Sequence, residues 1–78
     1  MLPVQCKMAR IALDLGVRDL ARLAVVSPDT IARLERGEVL REKTVATIRV
    51  ALERLGIIFL EDGEVTDGGP GVRLVRRQ

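Results

Sequence analysis

The chain has 78 residues, of which 47% are hydrophobic and 31% are charged, and its 13 basic and 11 acidic residues give a formal net charge of +2. A domain of this length buries only about 60% of the surface that its unfolded form exposes, so we expect it to gain stability from a partner or a second copy. Without histidine and with Cys6 as the single cysteine, the composition excludes an internal disulfide, a Cys/His zinc site and a Ser-His or Cys-His nucleophile pair. We therefore expect no enzymatic activity, no cofactor and no bound metal.

Charge and aromatic content limit the kinds of molecule that the chain is expected to bind. Residues 1–56 carry ten basic and seven acidic residues, whereas residues 57–78 carry three and four. The positive excess permits a phosphate-binding face in the first part of the chain, although many solvated helices share such a bias. Phe59 is the single aromatic residue and offers no stacking platform for single-stranded nucleic acid. Duplex DNA and protein remain as partner classes.

The sequence also indicates a compartment. No charged-then-apolar leader opens the chain, and apolar runs such as Ile57–Leu60 are far too short to span a bilayer. An unpaired cysteine suits a reducing environment, and we expect Cys6 in the core. The sequence therefore predicts a soluble, cytoplasmic protein without membrane contact.

Two helices are predicted in the first part of the chain. Pro3 suits a first helical position, and Gly16 is expected to end helix 1. Four apolar residues share one stripe of that helix, Val4, Met8, Ile11 and Leu15, and Cys6, Ala9 and Leu13 lie alongside it. Asp19 lies near the start of helix 2, where a carboxylate favours the helix dipole. The predicted buried residues of helix 2 are Leu20, Leu23 and Ala24.

Helices 3 and 4 have strong boundary signals. Ser27-Pro28-Asp29 combines a hydroxyl N-cap, a proline at the first helical position and an early carboxylate. Helix 3 is expected to stop at Gly37, which suits the left-handed conformation that ends helices. Thr44 is the predicted N-cap of helix 4, which ends at Gly56. The apolar stripe of helix 4 is Val45, Ile48, Leu52 and Leu55.

Beyond Gly56 the hydrophobic period changes from helical to extended. Ile57–Leu60 is apolar on both alternating faces and predicts a strand buried on both sides, whereas Val72 and Leu74 indicate a second, half-solvated strand. Turn residues separate the strands at Asp62-Gly63 and from Asp67 to Gly71. The predicted fold class is therefore mainly α, with a bundle of four to five helices over residues 1–56 and a C-terminal β-hairpin over residues 57–78, in one compact domain.

The segment DLARLAVVSPDTIARLERG, residues 19–37, sets two short helices around a tight turn. Ala21 is small enough for the helices to approach, Val26 can pack under the turn, and Ile31 and Leu34 can anchor the second helix. Through this segment, and less distinctly over residues 5–56, the chain resembles the Cro/repressor-like (XRE) helix-turn-helix family of small bacterial and phage regulators. The resemblance implies a bundle of four or five helices whose third helix lies in the major groove of DNA.

The resemblance also implies two sets of DNA-contacting residues. The predicted base contacts are Pro28, Asp29, Thr30 and Arg33, and the predicted phosphate contacts are Arg18, Ser27, Arg36, Arg41 and Lys43. Arg33 is the best candidate base reader because a guanidinium can bond guanine through two hydrogen bonds. Asp29 can accept from a cytosine amine or orient Arg33 at i+4. The alternative is that Asp29 and Arg33 form only an exposed ion pair worth roughly a few tenths of a kcal/mol.

Two other positions near this segment carry structural expectations. Glu35 lies four residues after Ile31, near the inner face, where an isolated carboxylate is costly, and the resemblance implies a structural ion pair with Arg10. Val25 stands where the family usually has glycine, and valine tolerates positive φ badly. Val25 is either left-handed at a cost of about 1–2 kcal/mol or the turn closes with negative φ, and we favour the second geometry.

The leading hypothesis is a sequence-specific transcriptional regulator that binds double-stranded DNA at a pseudo-palindromic operator as a homodimer and acts as a repressor. We expect the dimer contact on the hairpin, because the two faces of its first strand cannot both pack on one helical bundle. The predicted interface is Ile57, Ile58, Phe59, Leu60, Val72 and Leu74. The alternative is that both faces pack within one chain. A rival function on the same scaffold is an antitoxin or antirepressor-type module that binds a protein partner.

Overall fold

Four helices followed by an antiparallel strand pair form the fold in the computed structural model, which describes residues 1–61 and 70–75. The elements are α1 (Pro3–Ala12), α2 (Val17–Ala24), α3 (Pro28–Glu35), α4 (Glu42–Arg54), β1 (Ile57–Leu60) and β2 (Gly71–Leu74). This architecture confirms the predicted fold class, with four helices in the described part of the chain. The turn residues predicted at Asp62-Gly63 and at positions 67–69 lie outside the described residues.

The core lies where the four helices meet the inner face of the hairpin. Its buried apolar side chains are, in chain order, Cys6, Ala9, Leu20, Ala21, Ala24, Ile31, Leu34, Ile48, Leu52, Ile57 and Phe59. Ala21 of α2 is buried, α2 packs against α3, and Val26 in their turn is half-buried against the core. The close pairing of two short helices that residues 19–37 predict is therefore present.

The buried face of α1 differs from the predicted stripe. Val4 and Ile11 are exposed, and Met8 is only half-buried, so the stripe of Val4, Met8, Ile11 and Leu15 is wrong as the core-facing set. The helix packs on α3 and β2, and the residues it buries are Gln5, Cys6 and Ala9. On α2, Leu23 is likewise exposed rather than buried.

Gln5 decides the orientation of α1 through hydrogen bonds. Its Nε2 donates to the carbonyl oxygens of Leu60 at 2.9 Å and Gly71 at 3.0 Å, and its Oε1 accepts from the backbone N–H of Leu2 at 2.8 Å. A fully buried amide is tolerated because these contacts satisfy both of its N–H groups and its oxygen. The hydrogen bonds of Gln5 therefore hold the hairpin against α1.

Left-handed residues follow each of the four described helices. They are Asp14, Val25, Gly37 and Gly56, with φ angles of 56°, 57°, 93° and 101°. Gly16 was the expected end of α1, and that expectation is wrong because the helix ends at Ala12 and Asp14 takes the left-handed conformation. Aspartate adopts this region more readily than most side chains. Gly16 instead caps α2, donating its N–H to the Asp19 carboxylate at 2.8 Å.

Val25 contradicts the favoured turn geometry. Its backbone angles are φ 57° and ψ 48°, so the expectation of a negative φ is wrong. Val25 N–H donates to the Arg22 carbonyl at 3.3 Å, and Val26 N–H donates to the Ala21 carbonyl at 2.9 Å. This is the hydrogen-bond pattern with which glycine commonly ends a helix. The buried neighbour Ala24 and these bonds hold Val25 left-handed, although its own side chain is 88% exposed.

Helix α4 begins earlier than predicted. Thr44 is wrong as its N-cap, because Arg41 occupies that position with extended backbone angles and the helix runs from Glu42. The Arg41 carbonyl accepts from Val45 N–H at 3.1 Å, so the first turn already encloses Thr44. Glu42 supplies the negative charge that favours a helix N-terminus. At the other end, Leu55 is exposed rather than buried.

The hairpin is buried on one side only. Ile57 pairs with Leu74 and Phe59 with Val72, and both β1 residues face the helical core. The guanidinium of Arg49 lies 5.1 Å from the centroid of the Phe59 ring, within the range of a cation–π interaction. Ile58, on the other face, is 47% exposed. The prediction of a strand buried on both sides, and the alternative that both faces pack within one chain, are therefore wrong.

Candidate nucleic-acid interface

The N-terminal end of α3 is fixed by its cap and open to solvent. Ser27 Oγ accepts a hydrogen bond from Thr30 N–H at 3.1 Å, and Pro28 occupies the first helical position. Ile31 and Leu34 are buried on the inner side of the helix. The cap confirms the predicted start of α3. Because Ile31 and Leu34 are packed in the core, the polar side of the helix faces solvent.

The predicted base-contacting residues differ in how freely their polar groups can act. Pro28 and Asp29 are exposed, whereas the hydroxyl of Thr30 is hydrogen-bonded to that of Ser27 at 2.8 Å. The side chain of Arg33 is 43% exposed and is bonded to an acidic neighbour beyond the helix. Among the predicted base-contacting residues, Arg33 therefore has the polar group that extends farthest from the helix while remaining accessible to solvent.

Arg33 shares a surface depression with one predicted phosphate-contacting residue. A depression of about 300 Å³ lies between α3 and the start of α4. It is lined by Thr30, Arg33, Val39, Leu40, Arg41 and Thr44. The fold therefore brings Arg33 and Arg41 together, although they are eight positions apart in the sequence.

The other predicted phosphate-contacting residues do not line this depression. Ser27 and Arg36 flank α3 at its two ends, and Arg18 is exposed in the first turn of α2. Lys43 lines a different depression, of about 530 Å³, between α2 and α4. The structure therefore does not bring Lys43 to the surface that Arg33 and Arg41 share.

Arg33 and Arg36 have a common acidic partner in Glu38. Oε1 of Glu38 accepts from Arg33 Nε at 3.1 Å, and Oε2 accepts from Arg36 Nε at 3.2 Å and Nη2 at 2.7 Å. These hydrogen bonds, first from Arg36 and then from Arg33, lower the pKa of the Glu38 carboxyl. The alternative of an exposed ion pair between Asp29 and Arg33 is wrong within the described residues, because Arg33 pairs with Glu38 instead.

On the inner side of α3, Arg10 and Glu35 form the predicted ion pair. Arg10 Nε donates to Glu35 Oε2 and Nη2 to Oε1, each at 3.0 Å, and Nη1 donates to the Leu15 carbonyl at 3.1 Å. The two side chains are only 14% and 10% exposed. The hydrogen bond with Glu35 raises the pKa of the Arg10 guanidinium. This bidentate contact ties α3 to α1 and fixes the position of the outer face.

Cys6 completes the cluster behind α3. Its thiol lies 3.7 Å from Glu35 Oε2 and donates to it. Burial, and then the negative charge of Glu35, raise the pKa of the thiol to about 12. Cys6 therefore stays protonated at neutral pH and serves as a core residue and hydrogen-bond donor.

Two residues with decisive contacts, Glu38 and Gln5, were not indicated by the sequence patterns. The sequence feature that could have indicated the role of Glu38 is Gly37. A left-handed residue after a helix turns the chain back over the last helical turn, so the residue that follows it lies near that turn. The signal for Gln5 was weaker, since a glutamine beside apolar residues is usually solvated. Its role depends on carbonyls more than 50 positions away in the sequence.

The hairpin residues predicted at a dimer interface are not equally accessible. Ile57 and Phe59 are wrong as interface residues, because they are only 3% and 5% exposed and belong to the core of the chain. Leu60 and Val72 are half-buried. Ile58 and Leu74 are exposed, but they point to opposite faces of the sheet because their register positions differ by one.

Comparison with known proteins adds no relative: no family profile matches the chain, and no curated protein matches its sequence significantly. Over residues 1–61 and 70–75, no group of acidic residues and cysteine is arranged to hold a metal ion. None of the helices in this part of the chain has both the length and the apolarity needed to cross a membrane. The candidate interface is therefore defined by geometry and charge.

Proposed function

We propose that the chain is a sequence-specific regulator of transcription that binds double-stranded DNA in the cytoplasm as a homodimer and represses by occupying an operator. One observation carries the proposal: α3 is anchored on its inner side by buried Ile31 and Leu34 and presents its capped N-terminus and arginines to solvent. The major groove of B-DNA, about 12 Å wide, admits a helix held in this way.

Arg33 is the proposed base-reading residue. Its hydrogen bond to Glu38 uses Nε, so the two terminal nitrogens can bond the O6 and N7 atoms of guanine. Arg41, on the same depression, is proposed to bind phosphate, together with Arg18 on α2, whereas Arg36 at the end of α3 is held by Glu38. These contacts position the helix, and the base contact supplies selectivity.

The buried cluster behind α3 supports a preorganised interface. The bidentate bond between Arg10 and Glu35 joins α1 to α3, and Ala21 allows α2 to pack closely on α3. A recognition helix fixed on two sides has little conformational freedom to lose on binding. The same anchoring holds the backbone of α3, which carries Arg33, in one orientation relative to α1.

A homodimer is proposed on the outer face of the hairpin. Ile58 is an exposed apolar residue at the centre of that face, and a two-fold contact between copies would cover it with its own equivalent. Two recognition helices related in this way read half-sites whose centres lie about 34 Å apart, one turn of B-DNA.

The proposal is tested by the salt dependence of duplex binding. Fluorescence anisotropy measures the affinity of the protein for a labelled 20-base-pair duplex at several KCl concentrations. We expect log K to fall linearly with log salt, with a slope of about −0.9 per neutralised phosphate. Arg33→Ala should weaken binding, whereas Arg49→Gln, which removes the same charge on the hairpin side of α4, should change it little. Binding that is absent, or equally affected by both substitutions, refutes the proposal.

A module that binds a protein partner is the second candidate. It is favoured by the outer face of α1, where Val4, Met8 and Ile11 line an apolar depression of about 460 Å³. A partner held there is retained as salt rises and is insensitive to Arg33→Ala. The anisotropy experiment, repeated with a labelled protein partner, therefore separates the two functions.

A further inference from the structure

A left-handed glycine returns the chain over the end of α3. Gly37 N–H donates to the Leu34 carbonyl at 3.0 Å, and Glu38 N–H donates to the Arg33 carbonyl at 3.1 Å. These two bonds form a Schellman closure. They bring Glu38 to the C-terminal end of a helix, where the helix dipole disfavours negative charge. A specific interaction other than the dipole therefore holds this carboxylate in place.

That interaction comes from two guanidinium groups, which engage Glu38 unequally. Arg36 directs two donors at Oε2, at 3.2 and 2.7 Å, whereas Arg33 gives Oε1 only its Nε, at 3.1 Å. The terminal nitrogens of Arg33 have no hydrogen-bond partner within residues 1–61 and 70–75. Glu38 thus occupies the Nε and Nη2 atoms of Arg36, whereas both terminal nitrogens of Arg33 stay open within that part of the chain.

We propose that Glu38 sets the sequence selectivity of the proposed DNA interface, by competing with phosphate for Arg36 while it holds Arg33 through Nε. This inference rests on the proposed function. A duplex of arbitrary sequence offers Arg36 only phosphate oxygens, and these compete with Glu38 for the Nε and Nη2 atoms of the guanidinium. A cognate guanine bonds the terminal nitrogens of Arg33 without displacing Glu38. The carboxylate therefore weakens sequence-independent binding more than it weakens cognate binding.

The exchange between carboxylate and phosphate needs no unfolding. The side chains of Arg36 and Glu38 are 60% and 43% exposed, so a phosphate can approach the guanidinium directly. The lowered pKa of Glu38 keeps its charge through neutral pH. The competition is therefore governed by phosphate and salt, with the charge on Glu38 constant.

Glu38→Gln tests this role, with Glu53→Gln as the matched control. Both positions are exposed carboxylates paired with arginine, at 43% and 42% exposure, but Glu53 bonds Arg49 on another face. Anisotropy titrations use two fluorescein-labelled 20-base-pair duplexes: one of random sequence, and one that wild-type protein has enriched most strongly from a random pool. Each titration is repeated at several KCl concentrations.

We expect Glu38→Gln to bind the random duplex about tenfold more tightly and the enriched duplex less than about threefold more tightly, because the two lost ion pairs opposed mainly phosphate contact. The salt slope for the random duplex should steepen by about 0.9, as Arg36 gains one phosphate. Glu53→Gln should change both affinities by the same factor, below about twofold.

Two results overturn the inference in distinguishable ways. If wild-type protein prefers the enriched duplex but Glu38→Gln shifts both affinities equally and leaves the salt slope unchanged, Glu38 has no role in selectivity and the proposed function stands. If wild-type protein binds neither duplex, the DNA interface itself is refuted, and the role of Glu38 is refuted with it.

Discussion

Replacing Val25 with glycine is expected to stabilise the protein. Val25 is a β-branched residue held at φ 57° in the turn between α2 and α3, a conformation that costs a side-chain-bearing residue about 1–2 kcal/mol. Glycine adopts the same angles without that cost. Because Val25 is 88% exposed, its removal sacrifices little buried apolar surface.

The size of the effect is a difference between two terms. Glycine relieves about 1–2 kcal/mol of strain, but it increases the freedom of the unfolded chain, which destabilises the fold by about 0.4–1 kcal/mol. The net gain for Val25→Gly therefore lies between about 0 and 1.6 kcal/mol, with a central value of about 0.8 kcal/mol. For a domain of this size, the central value raises Tm by roughly 3–6 °C.

Val39→Gly is the matched control for this substitution. Val39 is 96% exposed and lies outside the left-handed region, so the same chemical change there should destabilise the protein by about 0.4–1 kcal/mol. The unfolded-state term is common to both variants, and their difference in urea unfolding free energy measures the strain at Val25. Equal destabilisation by the two substitutions would show that the left-handed backbone of Val25 carries no strain.

Four further predictions concern the core and the hairpin. Glu35→Gln should lower the free energy of unfolding by about 2–3 kcal/mol, because it leaves the buried Arg10 without its charged partner. Glu53→Gln, the exposed control, should lower it by no more than about 0.5 kcal/mol. Urea unfolding measures both values, and equal losses in the two variants contradict this prediction. Because the pKa of folded Cys6 is about 12 against an ordinary 9.0, its contribution to stability is complete below pH 9 and declines as pH rises from 9 to 12. In addition, iodoacetamide should label the thiol at pH 8 only after the protein unfolds, as measured by mass spectrometry. Rapid labelling of the native protein would show that the thiol is accessible and reactive in the fold. Ile58→Lys should yield a monomer in analytical ultracentrifugation with an unchanged helical circular dichroism spectrum, and a persistent dimer argues against the hairpin contact.

Much of the fold could be predicted because local signals agreed with tertiary packing. The hydroxyl of Ser27 and the ring of Pro28 favour one helix start, and Gly37 favours one helix end, whatever surrounds them. The change of hydrophobic period after Gly56 likewise marks the strand. At these positions the preferred local conformation is also the one that the core requires.

The parts that could not be predicted depend on long-range contacts or on strain. The face that α1 buries is selected by Gln5 through carbonyls of the hairpin, and no helical periodicity contains that information. Val25 is held left-handed against its own preference by the bonds of its neighbours. At the candidate interface, the outward side of α3 followed from the spacing of its anchors, but the contact of Glu38 with Arg36 requires the three-dimensional turn at Gly37.

Selection of bound duplexes from a random pool tests whether α3 reads DNA sequence within a two-fold dimer, because one experiment reports both sequence readout and two-fold symmetry. The protein is mixed with randomised duplexes at moderate salt, bound DNA is recovered over several rounds, and the enriched sequences are determined. We expect inverted half-sites whose centres lie about 34 Å apart, with guanine at a fixed position whose enrichment disappears in Arg33→Ala. Recovered sequences that cannot be distinguished from the starting pool would show that α3 does not read DNA sequence.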